Sequence, residues 1–500
     1  MRVLFVYPNV TRAKTPQIGI ASLSAVLKQA GHQVDLFDFT FIENAQIYTS
    51  FKSRIKEFCP DLIAVSCRSL EFPYVKQLLS SLDRKDKSVF VVIGGVHATV
   101  APDEVIAFDS VDSIIRGEGE YPLLELVNNL ENGHAINNIQ NLWLKRNGRV
   151  IKNEIRPLLD NLDVLPYPDF ERFDDRHFFY ESHFNRKFTM KRVGAFETSR
   201  GCPYSCSYCV NAYLQELTRG KSRYHREKSV QRVIEELAFF TEKLQLEYVY
   251  LIDETFLLKM TRLKEFIEAY MQRVRLPFSF MTHPQTVTDK KIELVAKAGA
   301  DLALIGIECG DEEFRKNVLR RPVKDKDIKR AFQIVKKYGI STYSFNLIGF
   351  PGENRKLIGK TIKFNREVKP DVVQVTMFYP FPGTELLKTC IEQDLIDSNV
   401  KVISYYEDTI LKLPRFGKGQ LLRIYRLFHY YVNASFFTLP FLLIMERVPF
   451  LFDMFFLTQR YLERYLDEIK YLPYLLRKYG LLGLVKKIIK RSPGGKYLTG

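Results

Sequence analysis

The stretch Cys202-Pro203-Tyr204-Ser205-Cys206-Ser207-Tyr208-Cys209 narrows the possible folds more than any other part of this chain. Thiols this closely spaced can converge on one point. They can hold three corners of a cuboidal iron–sulfur cluster and leave the fourth iron without a protein ligand. An open iron is what a cluster needs to bind and reduce a small molecule. Half a zinc site, or unrelated core cysteines, are the plain alternatives. Zinc sites usually bring cysteines in two pairs, and structural ones close with four ligands; no partner pair accompanies this triad. Cys59, Cys67, Cys309 and Cys390 are scattered through apolar or helical contexts and read as core residues.

The triad sits in a repeating pattern. From Gly194 onward the chain alternates apolar runs (GAFETS, LEYVYLID, PFSFMT, DLALIGIE, STYSFNLIG, DVVQVTMFY) with amphipathic stretches such as VQRVIEELAFFTEKL. Six strands with intervening helices predict a partial TIM-type barrel, whose sites lie on loops at the C-terminal strand ends. The cysteines follow the first strand. Asp253 and Glu254 end the second, where Asp and Thr255 can also serve as a helix N-cap. Gly306-Ile307-Glu308-Cys309-Gly310 ends the fourth strand. Gly349–Glu353 ends the fifth and Phe381–Glu385 follows the sixth; Pro-Gly turn chemistry explains these last two equally well.

The first 140 residues repeat the alternation on a smaller scale. RVLFVY, VDLFDF, DLIAVS, VFVVIGG and DSIIRG are short apolar strands, with a helix expected from Ile18 to Gln29. Such a pattern predicts a parallel sheet covered on both faces, with ligands bound beyond the carboxyl ends of its strands. The loops in question are Pro8–Gly19, Ser66–Leu70, Gly94–Thr99 and Gly117–Glu120. The Gly94-Gly95 pair lets a ligand approach the backbone closely. A tight strand–helix turn with His97 on its surface is the simpler explanation of that motif taken alone. Residues 141–188 read as a connector, with an Asn-Gly hairpin signal in LWLKRNGRVIK and an extended Pro- and Asp-rich crossing in DNLDVLPYPDF.

The cysteine spacing, with Tyr208 before the last thiol, resembles the signature of the radical SAM enzymes. That resemblance implies that Cys202, Cys206 and Cys209 ligate a [4Fe-4S] cluster. S-adenosylmethionine (SAM) then chelates the open iron and is cleaved by one electron to a 5′-deoxyadenosyl radical. It implies SAM contacts from Tyr208, Asp253, Glu254 and Glu308, in a Gly-Ile-Glu-Cys-Gly segment where the family carries serine at Cys309. The N-terminal motifs PQIGIASLSAVLKQAGH, GGVHATVAP and RGEGE together resemble the cobalamin-binding domains fused to such cores. Gly94, Gly95, His97, Thr99, Gly117 and Glu118 are then the implied cofactor contacts. One departure matters. The Asp-x-His-x-x-Gly motif, whose histidine ligates cobalt in many such domains, is absent, so cobalamin is expected without that axial ligand.

The expected architecture is α/β. A cobalamin-binding-like, doubly wound domain (1–140) leads through the connector (141–188) to a radical SAM core (189–404) and a helical C-terminal region (405–500). Seven cysteines, three of them clustered, are not a disulfide framework. A cluster with an exposed iron calls for a reducing compartment, and MRVLFVYPNV is too quickly polar for a signal peptide, so a cytoplasmic location is expected. The net charge of +16 is unevenly placed: after Glu468 come eight Lys and Arg and no acidic residue. A basic tail mixed with Leu, Ile and Tyr suggests a membrane surface rather than nucleic acid, although a helix capping the barrel would show the same pattern. Leu427–Met445 carries no Asp, Glu, Lys or Arg, and reads as a buried or interfacial helical pair rather than a span.

These features point to a radical SAM enzyme that functionalises an unactivated C–H bond of a small molecule or lipid. Cobalamin-dependent methyl transfer comes first; oxidation or ring closure, as in tetrapyrrole cyclases, comes second. An external donor such as flavodoxin or ferredoxin would supply the electron. An RNA methylthiotransferase would need a second cysteine triad in the N-terminal domain, where only Cys59 and Cys67 stand. A non-catalytic iron–sulfur scaffold would not need the matching strand-end motifs.

Overall fold

The structure is a computed structural model that describes residues 1–82, 89–181, 190–397, 406, 408–414 and 417–458. It divides into two compact units at Tyr425.

In the first unit, β1 (Arg2–Tyr7), β2 (Gln33–Asp38), β3 (Leu62–Ser66), β4 (Phe90–Gly94) and β5 (Ser113–Ile115) form a parallel sheet in the order β2-β1-β3-β4-β5. Period-2 alternation separates its faces. Leu4, Val6, Ile63, Val65, Val91 and Ile93 face one core, and Val3, Phe5, Leu62, Ala64 and Val92 the other. Both faces are therefore apolar, as a sheet wrapped by crossover helices requires. The first helix runs Ile18–Gln29, as expected, with the Gln17 side chain capping its first turn. The hairpin β6 (Leu142–Arg146) and β7 (Arg149–Lys152) turns through Asn147 and Gly148, both at positive φ. The sequence pattern assigns this hairpin to the connector, yet β6 pairs antiparallel with β5 and extends this sheet.

The connector crosses to the barrel on aromatic anchors. Phe170, Phe173 and Phe178 are buried in the core that holds β1 on one side and Phe196 and Phe240 on the other. Next come β8 (Phe179–Glu181), β9 (Met190–Phe196) and the short antiparallel pair β10 (Ser199–Arg200) and β11 (Arg226–Glu227). The remaining strands are β12 (Tyr248–Leu251), β13 (Phe278–Thr282), β14 (Ala300–Glu308), β15 (Ser341–Ile348) and β16 (Val372–Met377). The sheet order is β16-β15-β14-β13-β12-β9-β8, parallel from β9 to β16. It is an open, partial barrel. Val193, Ala195, Tyr248, Tyr250, Leu302, Leu304 and Tyr343 form one core on its strands. The alternate residues Val249, Leu251, Phe280, Ala303 and Ile305 pack with helices such as Val230–Lys243. That helix starts at Ser229, whose hydroxyl accepts from the Arg232 amide.

The uncharged run Leu427–Met445 is not continuous. A helix over Lys418–Asn433 stops, and a second over Leu439–Arg447 begins. Among the described residues no helix is long and apolar enough to cross a membrane. The basic segment after Glu468 lies outside the described residues.

Candidate active site

The cysteine loop leaves the barrel after β9 and is held from several sides. The Ser207 amide donates to Leu319 O and its hydroxyl to Val318 O. The Gln215 side-chain amide donates to the carbonyls of Cys202 (2.6 Å) and Tyr204 (2.8 Å). Gly201 has φ +88°, and a Cβ there would lie 2.5 Å from Tyr224 O, so the residue before the first cysteine has to be glycine. Burial pushes the Cys202 thiol up to about 12 and Cys209 to about 11. Buried thiols of this kind become thiolates when a positive centre compensates them, which is the chemistry an iron site supplies. Three thiols on one loop are the donor set that holds three corners of a four-iron cluster and leaves the fourth open.

Around this loop stand polar and charged groups that the sequence motifs did not single out. Arg321 is buried, with one guanidinium nitrogen 3.9 Å from Cys206 Sγ and another donating to Gly306 O at 2.9 Å. Asn211 donates to Cys209 Sγ (3.5 Å) and to Glu254 Oε2 (3.2 Å), and its carbonyl accepts from Tyr224 Oη at 2.5 Å. Tyr204 stacks on His283 at 3.8 Å between ring centres; burial, with Arg321 nearby, holds that imidazole well below its ordinary pKa and therefore neutral.

The expected SAM contacts divide into two kinds. Glu254 is accessible yet hemmed in by protein, and that burial raises its pKa. Glu308, at φ +65° on a register shift of β14, accepts from Tyr208 and faces Arg321. A non-glycine residue in that region is strained, as functional sites often are. Asp253 is instead a structural hub. Its Oδ1 accepts from the Thr198 amide and from the Thr198 and Ser199 hydroxyls at 2.5–3.0 Å. Only the buried Oδ2 is unpartnered. Cys309 is fully buried beside Thr361, with burial pushing its thiol up to about 12.

Two cavities lie beyond the strand ends. One, of about 290 Å³, is lined by Gln17, Gly94, Gly95, Gly117, Glu118, Glu120, Glu197 and Arg200, with Phe5 of β1 and aliphatic residues of β3, β4 and β5. The other, of about 350 Å³, is mostly apolar. Val10, Arg68, Leu70, Glu71, Val96 and Val100 come from the loops after β1 and β3 and the helix after β4, and Tyr208, Cys209, Val210 and Phe381 from the loops and helix that follow barrel strands. Two expected cobalamin contacts do not line the first cavity. The His97 ring packs on Phe72, with Nδ1 3.1 Å from Ser69 Oγ, and burial pushes its pKa down to about 4. Thr99 ties two loops together: its hydroxyl accepts from the Gly117 amide and donates to Gly95 O. Gly95 has φ +88°, and a Cβ there would meet Cys67 N and O at 2.8 and 2.9 Å. The protein's own backbone therefore demands that glycine, whatever binds. Gly94 has no such neighbour, its nearest being Ile115 O at 3.8 Å. A cradle that backbone forms and Cβ atoms would fill fits a large flat cofactor.

Glu118 is bound more by protein than by solvent. Arg226 grips both its oxygens (2.7 and 3.0 Å), and Arg200 reaches it at 3.3 Å. Burial alone would raise its pKa; these two guanidiniums hold it below the ordinary carboxylate range. Arg200 also pairs with Glu120 and Glu197 at 2.9 Å each.

Residues 196–364 match the profile of the Radical SAM superfamily, and residues 7–127 that of the B12 binding domain. An uncharacterized methyltransferase of Pyrococcus horikoshii is 27% identical over 85% of this chain and 91% of its own length. An anaerobic magnesium-protoporphyrin IX monomethyl ester cyclase of Rubrivivax gelatinosus is 24% identical over 90% and 81%. In fold, the chain is similar to the radical S-adenosylmethionine methyltransferase TsrM of Kitasatospora setae, solved with cobalamin and a [4Fe-4S] cluster. The TM-score is 0.65, with 19% identity over 78% of each chain. With an open barrel behind a cysteine triad, a glycine-lined cavity beyond a second parallel sheet and a profile match to each, the chain belongs to the radical SAM enzymes that carry a cobalamin-binding domain.

Proposed function

We propose that Cys202, Cys206 and Cys209 hold the [4Fe-4S] cluster, that SAM lies against Glu254, Glu308 and Arg321, and that Gly94, Gly117 and their loops hold cobalamin. On this reading the enzyme transfers a methyl group to an unactivated carbon of an apolar small molecule. The observation that carries it is the apolar cavity whose wall joins Cys209 and Tyr208 to Val96 and Val100, on the helix that follows β4. When bound, the cluster and SAM supply a carbon radical, and cobalamin supplies a methyl carrier.

The chain's own residues do the positioning. Asn211 fixes Cys209 and Glu254 relative to each other. Glu254 and Glu308 accept hydrogen bonds from an ammonium group, and Arg321 offsets the negative charge of thiolates and of a carboxylate. Val96, Val100, Val210 and Phe381 keep water from the reacting carbon. A small flavodoxin- or ferredoxin-type protein delivers the electron.

The test is anaerobic incubation of the reconstituted holoenzyme with SAM, a reductant and extracts of its native cell. 5′-Deoxyadenosine and a metabolite that has gained one CH2 are expected. A product that has lost hydrogen without gaining carbon would instead make this an oxidase or cyclase. No SAM cleavage by the loaded protein overturns the assignment.

A further inference from the structure

The second unit has a surface that nothing described above uses. The helix Leu439–Arg447 buries Leu442, Met445 and Glu446, and Glu446 accepts from Tyr431 Oη at 2.6 Å. Its other side is also apolar: Phe441, Leu443 and Ile444 are exposed. The turn before it presents Phe436 (84% exposed) and Phe437 (87%), and the helical residues after it present Phe450 (72%) and Leu457 (65%). A helix that is apolar all round, flanked by bare aromatic side chains, is unstable against water unless something covers it. The charge of the same unit indicates what does. Residues 426–500 carry twelve Lys and Arg against five Asp and Glu, and Glu446, one of the five, is buried against Tyr431.

We infer that residues 436–457 dock on an anionic membrane surface. Phe436, Phe437, Phe441, Ile444, Phe450 and Leu457 enter the headgroup–acyl boundary, and the unit's excess of Lys and Arg, ten of them outside the described residues, favours anionic headgroups. Exposed Phe and Leu, in a unit whose sequence is rich in Lys and Arg, are the composition of interfacial segments. No helix among the described residues spans a membrane, so the contact is peripheral and reversible. It would bring the enzyme to substrates dissolved in lipid, and it does not depend on which cofactors the first unit holds.

Co-sedimentation of the full chain with phosphatidylcholine vesicles containing roughly one-third phosphatidylserine tests this, since anionic headgroups add to the attraction of each basic residue. Wild type should pellet with these vesicles, bind pure phosphatidylcholine more weakly and be released by salt. The combined variant Phe436→Ser, Phe437→Ser, Phe450→Ser should bind at least ~10-fold more weakly, because buried apolar area is lost. These side chains are exposed, so the fold should survive; unchanged SAM cleavage by the variant checks that. The double variant Phe436→Ser, Phe437→Ser should fall between the two. Wild type left in the supernatant at low salt, or serine variants that pellet like wild type, would overturn the inference. A wild-type dimer that the substitutions convert to monomer, without vesicle binding, would instead make the face a self-association surface.

Discussion

The two parallel sheets of the first unit make their sites from different materials. Beyond the N-terminal sheet the cradle is glycine and main chain, with charge along one wall. Beyond the barrel the site is built from side chains that carry charge or take it when a partner compensates them: Arg321, Glu308, Glu254 and the thiols, with Asn211 tying two of them together. A backbone cradle selects by shape, and is spoiled by adding atoms. A charged pocket selects by electrostatics, and is spoiled by removing them. Sensitivity to substitution should therefore run in opposite directions at the two sites.

The largest effect should come from the barrel. Arg321→Met keeps the volume but removes the cation beside Cys206, leaving Glu308 and the thiolates uncompensated. SAM cleavage should fall by ~100-fold or more, as the loss of a buried charge partner costs several kcal/mol. Measurement of 5′-deoxyadenosine with iron content held equal decides it, and cleavage near the wild-type rate would place Arg321 outside the site.

At the cradle the informative change is an addition. Gly94→Leu puts a side chain into the cavity without meeting protein at its Cβ. Cobalamin affinity should drop by ~10-fold or more, since a well-filled site tolerates little overpacking, while cluster content stays unchanged. Gly95 is a poorer probe. Its side chain would strike Cys67 and disturb the sheet whether or not a ligand is present.

An intermediate effect concerns pH. Burial raises Glu353 to about 8, although its Oε2 accepts from the Gly349 and Phe350 amides. The folded-state pKa is raised, so the protonated carboxyl is the favoured form. Its stabilising contribution is fully present below the ordinary carboxylate range near 4.5 and is lost as pH rises toward 8. Each unit of that interval is worth at most ~1.4 kcal/mol. Glu353→Gln keeps an acceptor for the amides and removes the ionisation. Its thermal midpoint relative to wild type should therefore rise as pH goes from about 4.5 to about 8 and level off above that; a constant difference would contradict the burial argument.

The smallest effect belongs to His97. Since the ring packs on Phe72 rather than lining the cradle, His97→Gln should change cobalamin affinity by less than ~3-fold, within the range of a single partly satisfied hydrogen bond. Loss of the cofactor in that variant would return His97 to the binding set.

Strand positions were legible because parallel strands buried on both faces read as continuous apolar runs. The first helix could be bounded because Gln17 and Gly31 punctuate it. The hairpin was recognisable from Asn147-Gly148, but which sheet it joined was not, since pairing across a register depends on contacts distant in sequence. The cysteine triad lies on one loop and could be read locally. Arg321 and Tyr224 come from other segments, and nothing in their immediate neighbours distinguishes them from surface polar residues. Asn211 stands two residues after Cys209, but only folding brings it to Glu254 as well. His97 and Asp253 mark the opposite case. Each lies in the right motif, yet packing has given one to Phe72 and the other to the Thr198–Ser199 turn.

Arg200 stands two residues before Cys202 while its guanidinium lines the glycine-lined cavity proposed for cobalamin and reaches Glu118, Glu120 and Glu197. One side chain thus belongs to both sites. A ligand that presses on that cavity wall does work on the segment carrying the first thiolate, and SAM that tightens the thiolate loop does work on the wall. Around a closed thermodynamic cycle the two amounts are equal. Affinities for the two cofactors are then properties of the pair: each has to be stated with the occupancy of the other, and the order of loading can alter the rate of assembly but not the final state.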